Sequence, residues 1–506
     1  MTYDVAVVGS GFSAIALTIN LLRQLGPERS IAIIGDDPGF GRGTAYRSEF
    51  YLHRLNVPAA RMSAFPDEPD DFLDWLREKG RKPIGDYFAA RGDYGLYLRD
   101  RLASLIRRRD DRVSVDFIKA KATSCMMPGE ADVEFHLDND TVLRARHVAL
   151  CLGVGNAEMP IASDLVPEKM QHRIIQNPWR LGWLSSIKPD DDICILGSGL
   201  TMIDQVLSLR SHGHRGRIHV ISRRGLIPHA HATIKPEPVE PRLPVASREI
   251  SEILAGFRAQ VREGADWRGL MDGLRHRTQH LWQELNDAQR SRFMRHALAW
   301  WNIHRHRLAP PVWSRFKPLI DDGTVTVHAG FIREIREADG RIGIRFRKRG
   351  TPEIHEIAVD WIVNCTGMER AGIAHSPLLQ QMCETSVIGM DRLGLGVSVD
   401  ARSRICCPDG TVRQRLYAVG ALTAGQFWEI TAVPDIRNQA KKVAEEIAGE
   451  LVGGRDGAST ERLRLFGERA APTVLIPVLV TGIQPTRVCA ARRLFSAQRL
   501  GLAGFL

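Results

Sequence analysis

Nowhere in these 506 residues is there a run of 18 or more apolar residues, which argues against a membrane-spanning helix. The N-terminus lacks a basic stretch leading into an apolar one, so a secretory signal is not expected and a cytoplasmic location is. Eight cysteines (at 125, 151, 194, 365, 383, 406, 407 and 489) include no C-x-x-C spacing. That disfavours zinc knuckles and a thioredoxin-type redox pair alike, and suits a reducing compartment. No triad of nucleophile, base and acid can be picked out, and no metal-ligand set. His304 and His306 stand two apart, so on a helix they point to different faces and metal binding is not expected. Arg305 or Arg307 could clamp a substrate carboxylate, or simply form ion pairs between domains.

Nucleic-acid binding is also unsupported, although the net charge is +10. Half of that excess falls in 461–506, where seven Arg face two Glu, and the rest is scattered Arg without the interleaved aromatics of a single-strand platform. An anionic small molecule is partner enough. With 44% apolar and 25% charged residues the chain is an ordinary globular one, long enough for about three domains.

What is present begins at once, with YDVAVVGSGFSA (3–14). Val5 to Val8 can form a buried parallel strand, and Gly9, Gly11 and Ala14 give the spacing G-x-G-x-x-A before a helix-forming run. Gly9 allows the tight turn, Gly11 lets the backbone approach a pyrophosphate, and Ala14 keeps helix and strand close. The helix start adds unpaired N–H groups and a positive dipole end, so a dinucleotide site is expected. SIAIIG (30–35) reads as the second strand. Asp36, just past it, is the candidate for a ribose hydroxyl pair, the alternative being a turn aspartate beside Pro38.

DICILGSGLTMIDQ (192–205) repeats this logic, with Gly197, Gly199 and Met202 in G-x-G-x-x-M spacing. Its second strand, RIHVIS (217–222), is followed by Arg223 and Arg224 where NAD sites carry an acid. Arginines there suit the 2′-phosphate of NADPH, through bidentate charge-assisted bonds. Asp204, inside the following helix, is expected to face its neighbours rather than a cofactor.

Alternating stretches at 111–152 predict a small antiparallel excursion, and HVALCLGVG (147–155) and DWIVNCTG (360–367) read as two strand–glycine returns. Cys365 in the second is expected to be inert packing. Residues 247–310 read as a helical insertion, where substrate-enclosing lids often occur. LYAVG (416–420) precedes a loop and a helix. From 453 onward GGRDGAST reads as a linker and the remainder as a disordered tail.

GRGTAY (41–46), LNVPA (55–59), DFLDWL (71–76), RGDYGLYL (91–98) and WWNIHRHRLAPP (300–311) together resemble a family of bacterial FAD/NAD(P)-binding oxidoreductases. That family is distantly similar to flavin-dependent N-hydroxylating monooxygenases acting on amino acids and amines. The resemblance implies two Rossmann-like α/β domains, the NADPH domain (161–360) inserted in the FAD domain (1–160 and 361–452). It also implies an FAD site that includes Gly43, Tyr46, Gly420 and Arg437. Asn56, Trp428 and Glu429 are candidates near the flavin ring, against the plainer readings of a packed loop, a core Trp and a surface Glu. Ala421 follows Gly420 where many relatives carry an Asp for the ribityl chain, leaving backbone N–H as the substitute. Three functions follow from the resemblance: a monooxygenase using O₂ on an amine or amino-acid nitrogen, a reductase with an external acceptor, or a non-catalytic redox sensor.

Overall fold

The computed structural model describes residues 2–460, apart from 37–39, 41, 49, 109–112, 128–131, 154, 156–157, 162–165, 244–248, 368–372 and 374, and of 453–460 only the backbone. The tail from 461 therefore lies outside the described residues, as do Asp37, Gly39 and Gly41.

Two parallel sheets carry the fold. In the first, β1 (Thr2–Val8) lies between β2 (Arg29–Ile34) and β6 (Val142–Leu150), with β3 (Val113–Ile118) beyond β2 and β15 (Val412–Ala418) beyond β6, all parallel. β4 (Ala122–Met126) and β5 (Val133–Leu137) form an antiparallel hairpin on β6, and β14 (Arg404–Cys406) closes the far edge antiparallel to β15. Thus the excursion between 111 and 152 is antiparallel only from β4 onward; β3 belongs to the parallel sheet. Val5, Val7 and Val8 are buried, as a strand covered on both faces requires.

The second sheet runs β12–β11–β10–β9–β8–β13–β7. Its parallel part is β7 (Ile174–Ile175), β13 (Trp361–Asn364), β8 (Ile193–Leu196), β9 (Ile218–Ser222) and β10 (Val325–Ala338). β11 (Arg341–Lys348) and β12 (Ile354–Val359) extend it as an antiparallel meander.

Helix α1 (Phe12–Gln24) is buried from Phe12 to Leu22 save for Ser13. Its polar Thr18 and Asn20 are tolerated there because they donate to the carbonyls of Ala14 (2.8 Å) and Ala16 (2.7 Å). Short α2 (Gly43–Tyr46) and α3 (Asp71–Glu78) precede α4 (Arg91–Arg108), which packs on α1. The motifs of this region form one unit. Tyr94 and Tyr97 of α4 are fully buried against Phe72, and Tyr97 Oη donates to Asp71 Oδ2 (2.6 Å) while accepting from Ala64 N (2.9 Å). Gly92 and Gly95 let the 42–48 segment lie directly on the helix: a Cβ at either would press on the carbonyl of Ser48 or Tyr46.

Helix α5 (Leu200–Ser211) follows β8. The insertion comprises α6 (Ile250–Arg262), α7 (Trp267–Leu274), α8 (Thr278–Glu284), α9 (Asp287–His296) and α10 (Leu298–Arg305), with its own core of Phe257, Trp267, Leu270, Trp282, Phe293 and Trp301. Asp266 and Asn286 cap α7 and α9 by accepting from Arg268 N and Gln289 N. Then come α11 (Pro310–Asp321), α12 (Pro377–Glu384) and α13 (Val433–Thr460), which packs along α1. α13 runs through 453–460, where composition suggested a linker. No helix among the described residues is long and apolar enough to cross a membrane.

The two halves meet at a polar joint. Arg91 Nη2 lies 2.8 Å from Asp204 Oδ2, with side chains only 15% and 6% exposed, and the guanidinium sits over the Trp179 ring. His53 Nε2 is 2.9 Å from Ser208 Oγ, and Ser48 Oγ is 2.7 Å from His53 Nδ1. Burial holds the imidazole below its ordinary pKa, despite the Asp204 carboxylate. The Asp204→Ala protein is expected to lose about 3–5 kcal/mol, because Arg91 is left buried and unpaired. Thermal unfolding followed by tryptophan fluorescence checks this; an unchanged midpoint would remove the pair from the account.

Candidate functional site

The two glycine turns are built alike to a degree that the sequence spacing only hinted at. Gly9 has φ +132° and Gly197 φ +97°, both in the region that disfavours side chains. Gly9 N donates to Ile34 O and Gly197 N to Ile221 O, each at 2.8 Å. Cys151 N donates to Val8 O and Cys365 N to Leu196 O, again at 2.8 Å. A Cβ on Gly9 would strike the Cys151 carbonyl, and one on Gly197 the Cys365 carbonyl. Each turn is therefore closed by the backbone of the strand–glycine return of its own unit. The cysteines contribute backbone; burial pushes both thiols up.

Gly11 and Gly199 differ from these. They begin α1 and α5 with extended backbone (φ −90° and −83°) and no side-chain cap. A Cβ on Gly199 would meet nothing within 4 Å, and one on Gly11 only Gly43 Cα at 4.0 Å. Uncapped helix starts with open space in front are what a pyrophosphate can fill. Ala14 and Met202 are fully buried, at the close packing of helix on strand.

Around the first turn three buried polar atoms lack partners: Arg42 Nε, Tyr94 Oη and Arg437 Nε. Tyr94 is ringed by Tyr46 (4.7 Å between centroids) and Phe12 (6.1 Å), the first residue of α1. Orphaned donors beside an open glycine cradle fit a bound FAD, which these residues can hold. Arg437 also ties α13 to the opposite loop by donating to Ser63 O (2.6 Å). Gly420 (φ +86°) leaves room for Ser13, and its N–H donates to Gln439 Oε1 (2.8 Å). Asp36 is exposed and 3.2 Å from Lys121 Nζ; Gly35 ahead of it has no room for a side chain against Ser10.

A cavity of about 480 Å³ lies where the 45–62 segment, the loop after β9, the insertion and the start of α13 converge. Tyr46, Asn56 and Glu429 line it, joined by Arg305 and Arg307. The structure thus brings together three of the candidates. Asn56 O accepts from His231 Nε2 (3.0 Å), which leaves Nδ1 as the bare nitrogen of a neutral ring; burial holds His231 down at about 4. Trp428 is not in the lining. It stacks on Trp282 (4.5 Å) and meets Phe293 edge-on, inside the insertion core.

Glu429 is no surface acid. Its side chain is 9% exposed, its backbone is left-handed (φ +63°), and it accepts from Trp301 Nε1 (2.8 Å) and Arg305 Nε (2.9 Å), with His306 Nε2 at 3.9 Å. Burial pushes this carboxyl up, but Arg305, His306 and Trp301 outweigh it and hold it below the usual carboxylate range. Arg307 pairs with Asp272, and Arg275 with Asp435 at 3.2 Å. Of the two readings left open for Arg305 and Arg307, ion pairing is what the geometry contains. Arg275, Asp435 and His231 carried no sequence signal, since each is defined by a partner far along the chain.

Arg223 and Arg224 follow β9, Arg223 exposed and Arg224 half-buried. Arg224 Nη2 donates to Arg295 O (3.3 Å). The described cysteines form no disulfide, and among the described residues no group of three His, Cys, Asp or Glu could hold a metal ion.

Compared with known proteins, residues 6–155 match the model of an FAD-NAD(P)-binding family. No curated protein matches the chain. Among solved structures, the fold resembles the reduced form of ornithine hydroxylase from Pseudomonas aeruginosa (TM-score 0.62, 16% identity, 89% of this chain and 100% of that one). It resembles equally the ornithine N-hydroxylase of Kutzneria sp. 744 with reduced FAD, NADP⁺ and L-ornithine (0.62, 16%, 89% and 100%). The bacillithiol disulfide reductase of Bacillus cereus is more distant (0.50, 14%, 89% and 100%). Residues 6–155 therefore carry an FAD-NAD(P)-binding domain, within a fold of two Rossmann-like dinucleotide domains.

Proposed function

We propose that this protein is an NADPH-dependent flavin monooxygenase that hydroxylates the nitrogen of an amine or amino acid. In this reading FAD is held by 1–160 and 361–452 and NADPH by 161–360, with the insertion 247–310 roofing the shared cavity. The observation that carries it is that cavity, in which Tyr46 and Asn56 from the FAD side face the loop after β9 and the start of α13. When bound, the nicotinamide supplies a hydride to the flavin, and the reduced flavin supplies electrons to O₂. The chain's own residues position and enclose. Gly11 and Gly199 admit the two pyrophosphates, Asn56 borders the ring site, and the Glu429–Arg305 and Asp272–Arg307 pairs keep the roof rigid. Arg61, Lys235 and Asp86 line the same cavity without an ion-pair partner among the described residues, which leaves both signs of charge for a zwitterionic substrate.

Thiol chemistry is a poorer fit. Burial pushes up the thiols of Cys125, Cys151, Cys194, Cys365, Cys383 and Cys406, so none of these six is primed as a thiolate. The test is a screen of amines and amino acids for substrate-stimulated NADPH oxidation, with products analysed by mass spectrometry. A product one oxygen atom heavier is expected for at least one nitrogen nucleophile. Rapid dye reduction with no oxygenated product from any of them would replace this reading with a reductase.

A further inference from the structure

Three of the six arginines in 325–359 are spoken for by carboxylates. Arg341 pairs with Asp192 and Asp360, Arg336 with Glu356, and Arg345 with Glu334. Arg349, in the turn between β11 and β12, has no carboxylate partner among the described residues. Its backbone N–H donates to Ala329 O (2.8 Å) and its Nη1 to Arg223 O (3.3 Å), so the turn hangs over the end of β9. Gly225 permits this approach, since a Cβ there would touch Ala329 at 3.0 Å. Arg224 lies in the same group: burial lowers its pKa, and the like charges of Arg349 and Arg223 lower it further. Neither Arg223 nor Arg224 has an acidic partner among the described residues. Three guanidinium groups gathered at the end of β9 without a counter-ion, while Arg336, Arg341 and Arg345 are each neutralised, are arranged for a dianion.

We infer that Arg349 is a third arm of the 2′-phosphate subsite and sets the choice of NADPH over NADH. The inference rests on the NADPH reading above and adds to it a residue from a separate segment. A phosphomonoester carries close to two negative charges at neutral pH, whereas the bare ribose hydroxyl carries none, so the three arginines discriminate by charge. Arg349 is specific to this step because it reaches β9 from the outer meander and lines neither the central cavity nor the glycine turn.

The test uses the full-length, FAD-loaded protein and calorimetric titration with 2′,5′-ADP and 5′-AMP, which differ only in the 2′-phosphate. Arg349→Ala is expected to weaken 2′,5′-ADP roughly ten- to a hundredfold, with 5′-AMP unchanged, and to flatten the salt dependence of the former. Arg349→Lys should fall between, retaining charge without the fork. Equal loss of both ligands would mark a structural role and overturn the inference. So would unchanged 2′,5′-ADP binding in Arg349→Ala while Arg224→Ala loses it, although the NADPH reading would then stand. A wild-type protein that binds the two ligands equally would sink the NADPH reading itself, and Arg349's role with it.

Discussion

Gly11→Val is expected to give a folded protein that no longer retains FAD, its affinity reduced by ~4 kcal/mol or more, roughly a thousandfold. Gly11 has backbone angles any residue can adopt, so the fold should tolerate a side chain there. Yet the space its Cβ would enter is bounded only by Gly43 Cα, and it lies before the uncapped N–H groups of α1. Two methyl groups would fill the gap between these two backbones. Gly9→Ala should behave in the opposite way. At φ +132°, with the Cys151 carbonyl in the path of the Cβ, the added methyl strains the turn itself and the apoprotein should melt early or fail to fold. Flavin-to-protein ratio after purification, together with apoprotein melting curves, separates the two. Purified Gly11→Val carrying a full complement of FAD would refute the cradle.

Glu429→Ala should be the most damaging single change at the cavity. It leaves the Arg305 guanidinium, 12% exposed, without its carboxylate and removes the acceptor of Trp301 Nε1. The expected cost is about 3–5 kcal/mol, a fall in Tm of roughly 3–5 °C for a chain of this length. Glu429→Gln keeps an acceptor for Trp301 and should cost less. Glu429→Gly relieves the left-handed backbone yet still unpairs Arg305, so its cost should stay close to that of alanine. The pH dependence has a definite sign. Because the folded carboxyl titrates below the ordinary range, its contribution is complete above that range and is lost as the pH falls through it. Glu429→Gln should accordingly flatten the acid limb of the Tm profile. A wild-type-like Tm for Glu429→Ala at neutral pH would mean that the pair contributes nothing.

How much of this could be read from residues alone depended on the range of the interactions. The two turns were legible because glycine spacing, strand and helix lie within a dozen residues and the constraint is on backbone. The cavity's pairs were not: His231 meets Asn56 across 175 positions and Arg275 meets Asp435 across 160, and no local pattern encodes such partners. β3 departs from its sequence pattern for a physical reason. It is an edge strand whose residues alternate between half-buried and exposed, so it shows the period of an antiparallel ribbon while pairing parallel to β2. The glycines at 453 and 454 read as a break, whereas α13 continues past them to Thr460 after Leu451 has been buried. Adjacent in sequence, Trp428 and Glu429 read as a pair of ring-face candidates, but the chain turns at Glu429 and sends its neighbour into the insertion core.

The carbonyls that close the two glycine turns also impose an order of assembly. During synthesis the first turn must wait for Cys151 and the second for Cys365, and β15 joins β6 only once Leu416 has been made. The second sheet is complete in the nascent chain before the first can be, because everything it needs lies between β7 and β13. The N-terminal turn, first to leave the ribosome, thus closes before the second turn, yet its surroundings are complete only when Gly420 reaches Ser13 and Arg437 reaches Ser63.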